Sequence, residues 1–482
     1  MKVVMIKHLD TDAFASTPIL FDSETKRLGD DFPALGITAM SPHEIDPVAF
    51  WMSLVWENPL GLRTVRTGVI QLPGGSHCEV DMSTGCIRTT RREFFHEPAT
   101  SLSESDLLTA LDSRLQAIAR AVWEQVPAGG DILLPLSGGL DSRLLACHLA
   151  TTGDPGRIRA VTFGYGPGSY EYRLARRICR DLKIERHEFH PLSRRIYAEV
   201  SEDFYRRYLG GLSVMHAHLY TYLRSHPPHN ALLVSGFGAD AISGWASMDP
   251  ARMPSTLEGA KAFKGLAGVR DRYAMPGPIF DQIRSDLEML WREWAPNHGD
   301  VNFDEYLYLS QRQTKAYMLL LNMYRDFCPV AMPFGDDELR RLLLSAPFRL
   351  RWRKRVSQLL ICRRRPSLGR ILDLSSSPNL RSARSRAFFW ARRGLIHAAV
   401  GLAQLTDDRV RWMVPFMTED VMGAMRVEHR PAILTILERL RLCGLLTPEQ
   451  AGRLSAKPAR GPEIMRHARL LSLAPCVLRT HA

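Results

Sequence analysis

The 482-residue chain has no apolar run near the ~18 residues that a helical membrane span needs, so no such span is expected. Its start, MKVVMIKHLD, lacks the apolar stretch and small-residue cleavage site of a signal peptide. Cysteines are few and scattered, at 78, 86, 147, 179, 328, 362, 443 and 476, and no two form a CxxC pair. That spacing argues against a zinc ribbon and against a disulfide framework. The thiols read as reduced, as in a cytoplasmic protein. Cys78 and Cys86 fall in a strand pattern and are expected in the core. The GxxxxGK[ST] spacing of a Walker loop, with its lysine, is also missing.

Acidic residues are nearly absent from one segment. Between Arg351 and Arg393 there are thirteen Arg or Lys and a single acid, Asp373, so this stretch carries the chain's whole excess of +12. Such a segment suits phosphate, nucleic acid or an acidic partner. A solvated helical face explains it equally well.

What remains is ordinary for a globular protein: 45% hydrophobic and 24% charged residues, in a chain long enough for two or three units. Residues 1 to 102 are rich in turns and alternating patterns; GVIQLPGGSHCEVDMSTGCIRTTRREFF reads as a β-meander. From Ser103 the period becomes helical, with Leu107, Leu108, Leu111, Leu115, Ile118 and Val122 recurring. Strands are then predicted at 131–136, 158–163, 186–190 and 231–235, separated by helical patterns. This alternation implies a parallel sheet with helices on both faces. Ligands of such sheets sit beyond the strands' carboxyl ends. After about 250 the pattern is mainly helical.

Two glycine-rich loops fall at strand carboxyl ends. The sharper is LLPLSGGLDSRLLACHLA, in which Leu136, Ser137, Gly138, Gly139, Leu140, Asp141 and Ser142 lead from a buried strand into a helix. Glycines let a backbone approach an anion, and the amides of a helix start point at it. Asp141 would repel a bare phosphate, so a cation between them is required; Mg²⁺ shared with phosphates fits. The second loop is VSGFGADAISGW.

On these residues the chain resembles the asparagine synthetase-like family of N-type ATP pyrophosphatases, whose loop reads SGGxDS. VSGFGADAISGW resembles that family's second loop, MPFGDDELRRLLLSAP its PF-D-x-x-L segment, and TFGYGPGSYEYRLARRICRDL its second strand and helix. GVIQLPGGSHCEVD resembles the end of its N-terminal domain. The resemblance implies ATP and Mg²⁺ as cofactors. It implies that Asp141 and Asp240 bind the metal, and that Ser137, Gly138, Gly139, Asp141 and Ser142 cradle pyrophosphate. Leu136, Thr162, Phe163, Ser235 and Gly236 would contact the nucleoside. The implied substrates are a small-molecule or peptide carboxylate and an amine.

The chain departs from the family in three places. Lys2 stands where a glutaminase needs its cysteine, and the region before the synthetase has about half the family's size, so glutamine hydrolysis is not expected. Phe237 replaces the glutamate thought to deprotonate ammonia, and Ala241 replaces the acid after Asp240. β-Lactam synthetase and lasso-peptide cyclases also depart at that glutamate. The family's late lysine has no counterpart between Lys354 and Lys457; Arg381, Arg384 and Arg386 are the replacements on offer, with Arg384 and Arg386 assigned to catalysis. His216 and His218 read as partly buried packing residues, with a catalytic base as the lesser alternative, and Glu171 opens a helix where it suits the dipole.

The expected fold is α/β: a Rossmann-like parallel sheet over 103–482 with a helical carboxyl-terminal portion, after a truncated β-rich remnant of a glutaminase-like domain over 1–102. The expected activity is ATP-dependent amide-bond formation through an acyl-adenylate. An intramolecular cyclase, and a nucleotide-binding protein without catalysis, are the alternatives.

Overall fold

The computed structural model describes residues 6–93, 95–164, 169–244, 249–297, 299–371, 423–458 and 461–478, with isolated helical positions between 391 and 406. Six short strands come first: β1 (Ile6–Asp10), β2 (Leu20–Asp22), β3 (Arg27–Gly29), β4 (Val69–Gln71), β5 (Ser76–Asp81) and β6 (Ile87–Arg91). They form two three-stranded antiparallel sheets, ordered β1-β5-β6 and β3-β2-β4. The expected meander is therefore split, because β4 joins the second sheet and β5–β6 the first. Between β3 and β4 in sequence runs helix α1 (Pro47–Trp56), capped by the Asp46 carboxylate, which accepts the Val48 and Ala49 amides. Sequence pattern missed α1 because PVAFWMSLVW is apolar on every face and shows no helical period. It is buried on most sides, with Trp51 fully enclosed.

The second part starts with α2 (Glu104–Gln125), capped by the Ser103 hydroxyl on the Asp106 amide. Leu107, Leu111, Leu115, Ile118 and Val122 form its buried stripe, as the period requires. Strands β7 (Asp131–Pro135), β8 (Ile158–Gly164), β9 (Arg186–Pro191), β10 (Ala231–Val234) and β11 (Val330–Ala331) make one sheet in the order β11-β10-β7-β8-β9, and every pairing is parallel. Helices α3 (Leu140–Thr152) and α4 (Tyr170–Leu182) connect β7 to β8 and β8 to β9. Four strands agree with the sequence expectation. The fifth, β11, has two residues and was hidden within a region of helical pattern.

The strand order fixes where a ligand can go. From β7 the chain steps outward to β8 and β9, then returns to the other side of β7 with β10. The right-handed crossover rule sends the connections before and after this reversal to opposite faces. A crevice therefore opens between the carboxyl ends of β7 and β10. Both glycine-rich loops leave the sheet there, after Pro135 and after Val234.

The amino-terminal sheets are not a detached bead. Tyr205 donates its hydroxyl to the Met40 carbonyl, Arg63 bridges Asp46 and Asp286, and Lys315 donates to the Arg63 carbonyl at 2.6 Å. One apolar core runs through both parts. Among the described residues no helix is long and apolar enough to cross a membrane.

Below the crevice lies a fully buried ion pair. Arg351 donates to Glu305 at 2.7 Å, and both side chains are 0% exposed. Arg351 also donates to the Asp300 and Ala346 carbonyls. Burial raises the Glu305 pKa, against the pull of Arg351. Removing one partner strands the other charge, so Glu305→Ala is expected to cost about 3–5 kcal/mol. The double variant Glu305→Leu/Arg351→Met should recover much of that loss. Denaturant melts of the two proteins check this; equal melting would show that the pair is not the anchor described.

Candidate functional site

Ser137–Ser142 bridges the end of β7 and the start of α3. No side chain caps α3, whose N-cap is Gly139, and a helix start of this kind suits an anion. The serines tie the loop to itself: the Ser137 amide donates to Ser142 Oγ at 3.1 Å, the two hydroxyls lie 2.9 Å apart, and the Gly139 amide donates to Ser137 Oγ at 3.1 Å. The Gly138 amide donates to Glu171 Oε2 at 2.6 Å. A carboxylate of the chain itself thus takes up this amide. Gly138 has no room for a side chain, since a Cβ would lie 2.7 Å from Leu174 Cδ1. Buried Arg143 grips the loop from behind, donating to the Gly138 carbonyl at 2.6 Å and to the Ile371 carbonyl at 2.7 Å.

Asp141, in the first turn of α3, pairs with Lys354 Nζ. The Lys354 side chain is only 8% exposed, so this is a sheltered contact. Lys354 and Arg353 both have left-handed backbones, with φ of 58° and 54°. That conformation costs a non-glycine residue about 1–3 kcal/mol, and it persists where the surroundings enforce it. Here they do: Arg351 is locked on Glu305, and a Cβ at Gly244 would lie 2.5 Å from the Arg351 carbonyl. Sequence reasoning passed over Lys354 as one charge in a basic run. Its signal was thin: a lysine among arginines, in RWRK.

On the neighbouring strand, Ser235 and Gly236 begin the second loop, one residue earlier than the strand was expected to end. Ser235 is buried and its hydroxyl accepts the Phe237 amide. Gly236 is open: a Cβ there would meet nothing within 4 Å. Asp240 accepts the Tyr308 hydroxyl. Phe237, half-buried, packs on Tyr317 with ring centroids 5.1 Å apart and on Tyr324 at 6.2 Å. Neither of these rings supplies a carboxylate to replace the missing glutamate.

The remaining sequence candidates divide. Leu136 and Thr162 are buried, and the Thr162 hydroxyl donates to the Leu136 carbonyl at 2.6 Å, so the pair staples β8 to the loop. Phe163, half-buried, lies against His190, His218 and Tyr222 at the end of β8. His218 and His216 serve as packing partners, His216 against Tyr317 at 5.2 Å. Burial pushes their pKa values down to about 4 and about 3, which leaves both neutral and weakly basic. Cys78 is buried and burial pushes its thiol up to about 11, but Cys86 is exposed, contrary to expectation, because it follows the β5 turn. Arg381, Arg384 and Arg386 lie outside the described residues.

Of the basic segment, residues 351–371 are described. Within 351–371, Arg351, Lys354, Arg364 and Arg365 are paired with Glu305, Asp141, Asp112 and Asp181. These cations fasten the segment to the parallel-sheet domain, whereas Arg353, Arg355, Arg363 and Arg370 face solvent.

The donor set suits a phosphate-bound Mg²⁺. Asp141, in the first turn of α3, and Asp240, in the short helix Ala239–Ile242, follow the adjacent strands β7 and β10, and a loop of amides and hydroxyls lies beside Asp141. Mg²⁺ takes few protein ligands when phosphates complete its shell, so two carboxylates suffice. Chemically, the crevice can hold a polyphosphate against a helix start while a lysine and two carboxylates manage its charge.

Among curated proteins, none matches the chain. The family described as asparagine synthase matches residues 114–363, from within α2 to one residue short of Arg364. That span covers more than half of the sequence and contains both loops, Lys354 and the whole parallel sheet, and the chain belongs to the asparagine synthase family, a family of ATP-dependent amide-bond ligases.

Proposed function

We propose that the chain activates a carboxylate with ATP as an acyl-adenylate and passes the acyl group to an amine. The observation that carries this reading is the SGGLDS loop at the sheet's switch point, with Lys354 held on its aspartate. A substrate carboxylate oxygen attacks the α-phosphorus, and the bond to the bridging oxygen breaks as pyrophosphate leaves. The loop amides and the Ser137 and Ser142 hydroxyls would hold the departing pyrophosphate. Mg²⁺ held by Asp141 and Asp240 would neutralise its charge. Glu171 would give up the Gly138 amide as the phosphate arrives. Lys354, no longer needed by Asp141 once a metal binds there, would turn its charge to the phosphates. Next, the amine nitrogen attacks the acyl carbon, AMP leaves with the C–O electron pair, and a proton is lost from nitrogen.

Phe237 favours an amine other than ammonia. It supplies bulk and no base, and its neighbours Tyr317 and Tyr324 are apolar rings on that side. An amine carried by a larger substrate, in the same molecule as the carboxylate or in another, suits this wall.

Three outcomes are expected. Asp141→Asn should abolish ATP–pyrophosphate exchange with a panel of carboxylic acids while the melting temperature is kept; exchange at the parental rate would remove the metal assignment. Lys354→Ala should retain ATP in equilibrium binding but slow exchange about thirty- to a thousand-fold, the effect of losing ~2–4 kcal/mol of transition-state charge stabilisation. A Lys354→Ala protein with unchanged exchange would make the lysine merely a partner of Asp141. Finally, purified chain given glutamine should release no ammonia, and steady release would overturn the reading of residues 1–102 as an inactive remnant.

A further inference from the structure

The first sheet carries a group of side chains that the crevice does not use. His8 and Asp10 of β1 stand opposite Glu79 and His77 of β5 in the antiparallel register. Alternation decides the face they share: Cys78 and Val80 are buried, so His77 and Glu79 point outward. Strand pairing alone thus gathers two imidazoles and two carboxylates, with His8 and His77 lying 69 positions apart in the chain.

Their donor atoms converge. His8 Nδ1 lies 3.4 Å from His77 Nε2 and 3.9 Å from Glu79 Oε1. The three ligand atoms all fall within 4.8 Å of one another, and among the described residues no other group of three His, Cys, Asp or Glu does so. A tetrahedral Zn²⁺ with bonds of about 2.0–2.2 Å holds its donors about 3.3–3.6 Å apart. The two imidazole nitrogens already have that spacing. The Glu79 carboxylate reaches it by rotation about its own side-chain bonds.

A second observation concerns the other nitrogen of His77. Its Nδ1 lies 2.9 Å from Asp10 Oδ1. An ionised carboxylate only accepts, so in the neutral ring Nδ1 carries the hydrogen and Nε2 presents its lone pair towards His8. A carboxylate behind the imidazole is the arrangement that fixes tautomer and ring orientation in metal-binding histidines. Imidazole nitrogens with one carboxylate suit Zn²⁺, whereas Mg²⁺ takes oxygen ligands. The cations beside the group are Arg88, 3.8 Å from Glu79, and Arg92, 2.8 Å from Asp10. Both are mostly exposed and can swing into solvent without loss of packing.

We propose that His8, His77 and Glu79 form a Zn²⁺ site, with Asp10 steering His77 and water in the fourth position. β1 is the edge of its sheet, and the ion pins it to β5 through side chains as well as backbone. The site lies within residues 1–102 and does not depend on the adenylation reading.

The test is a calorimetric titration of the full chain, first treated with a chelator, with Zn²⁺ in excess Mg²⁺, which keeps oxygen-ligand sites occupied. One Zn²⁺ should bind with micromolar or tighter affinity. His8→Ala and His77→Ala should each weaken it at least about tenfold, and Asp10→Asn about ten- to a hundredfold. The His8 and Asp10 side chains are 60% and 63% exposed, so their replacement leaves the core untouched. Cys86, an exposed thiol, is the competitor to exclude: Cys86→Ser should leave the affinity unchanged, and bound Co²⁺ should absorb in the visible without a thiolate charge-transfer band. Zn²⁺ should also slow amide exchange along β1 in the parent chain and not in His77→Ala. Binding only at millimolar Zn²⁺ overturns the site. So does micromolar binding that survives His8→Ala, or that Cys86→Ser removes. Tight binding with unchanged exchange along β1 overturns the pinning of the edge strand.

Discussion

Asp141, in the first turn of α3, is held by Lys354, and that contact ties the loop after β7 to a segment far along the chain. Much of the surrounding structure serves that contact. Lys354 reaches Asp141 only because Arg353 and Lys354 turn through left-handed conformations, and they do so because Arg351 is fixed below them by Glu305. Gly244, on the second loop's side, is small enough for the Arg351 backbone to pass. Arg143 closes the circuit by binding both the loop carbonyl at Gly138 and the carbonyls that follow the basic helix. The loop's charge is therefore managed by residues more than two hundred positions away in sequence.

The parallel sheet and its loop were legible in the sequence because their physics is local. A buried strand ending in SGGLDS and followed by a helical period states its own geometry, and four such strand–loop units define the topology. The contents of the crevice were less legible. Lys354 looked like one cation among thirteen, since nothing in RWRK announces a left-handed turn or a distant aspartate. The family resemblance put Thr162 at the nucleoside, and no sequence pattern announced that its hydroxyl donates to the Leu136 carbonyl. The basic run could not reveal its counter-charges, because Asp112, Asp181 and Glu305 come from three different elements. Helix α1 was invisible for the opposite reason: burial on every side erases the period that would betray a helix.

The amino-terminal sheets gain a structural meaning from their contacts. Their strands are short, but the segment between β3 and β4 carries α1, Glu57 and Arg63, and the two charged residues dock onto the helical part through ion pairs and a backbone hydrogen bond. A region of this kind contributes walls and anchors whatever its chemistry. It cannot be trimmed without opening the apolar core that both parts share.

The run Tyr308–Tyr317 is wound with π-helical hydrogen bonds, which need more than four residues per turn. Arg312 lies over both the Tyr308 and the Tyr317 rings, whereas an α-helix would keep Tyr308 beside Arg312 and turn Tyr317 to the far side. Reading frame along this helix is thus itself a structural parameter. Deleting a residue so that a wide turn closes to an α turn would leave the flanking helices in place and carry Tyr317 away from Tyr308. The chain could keep every side chain it uses here and still lose this arrangement, through a change in count alone.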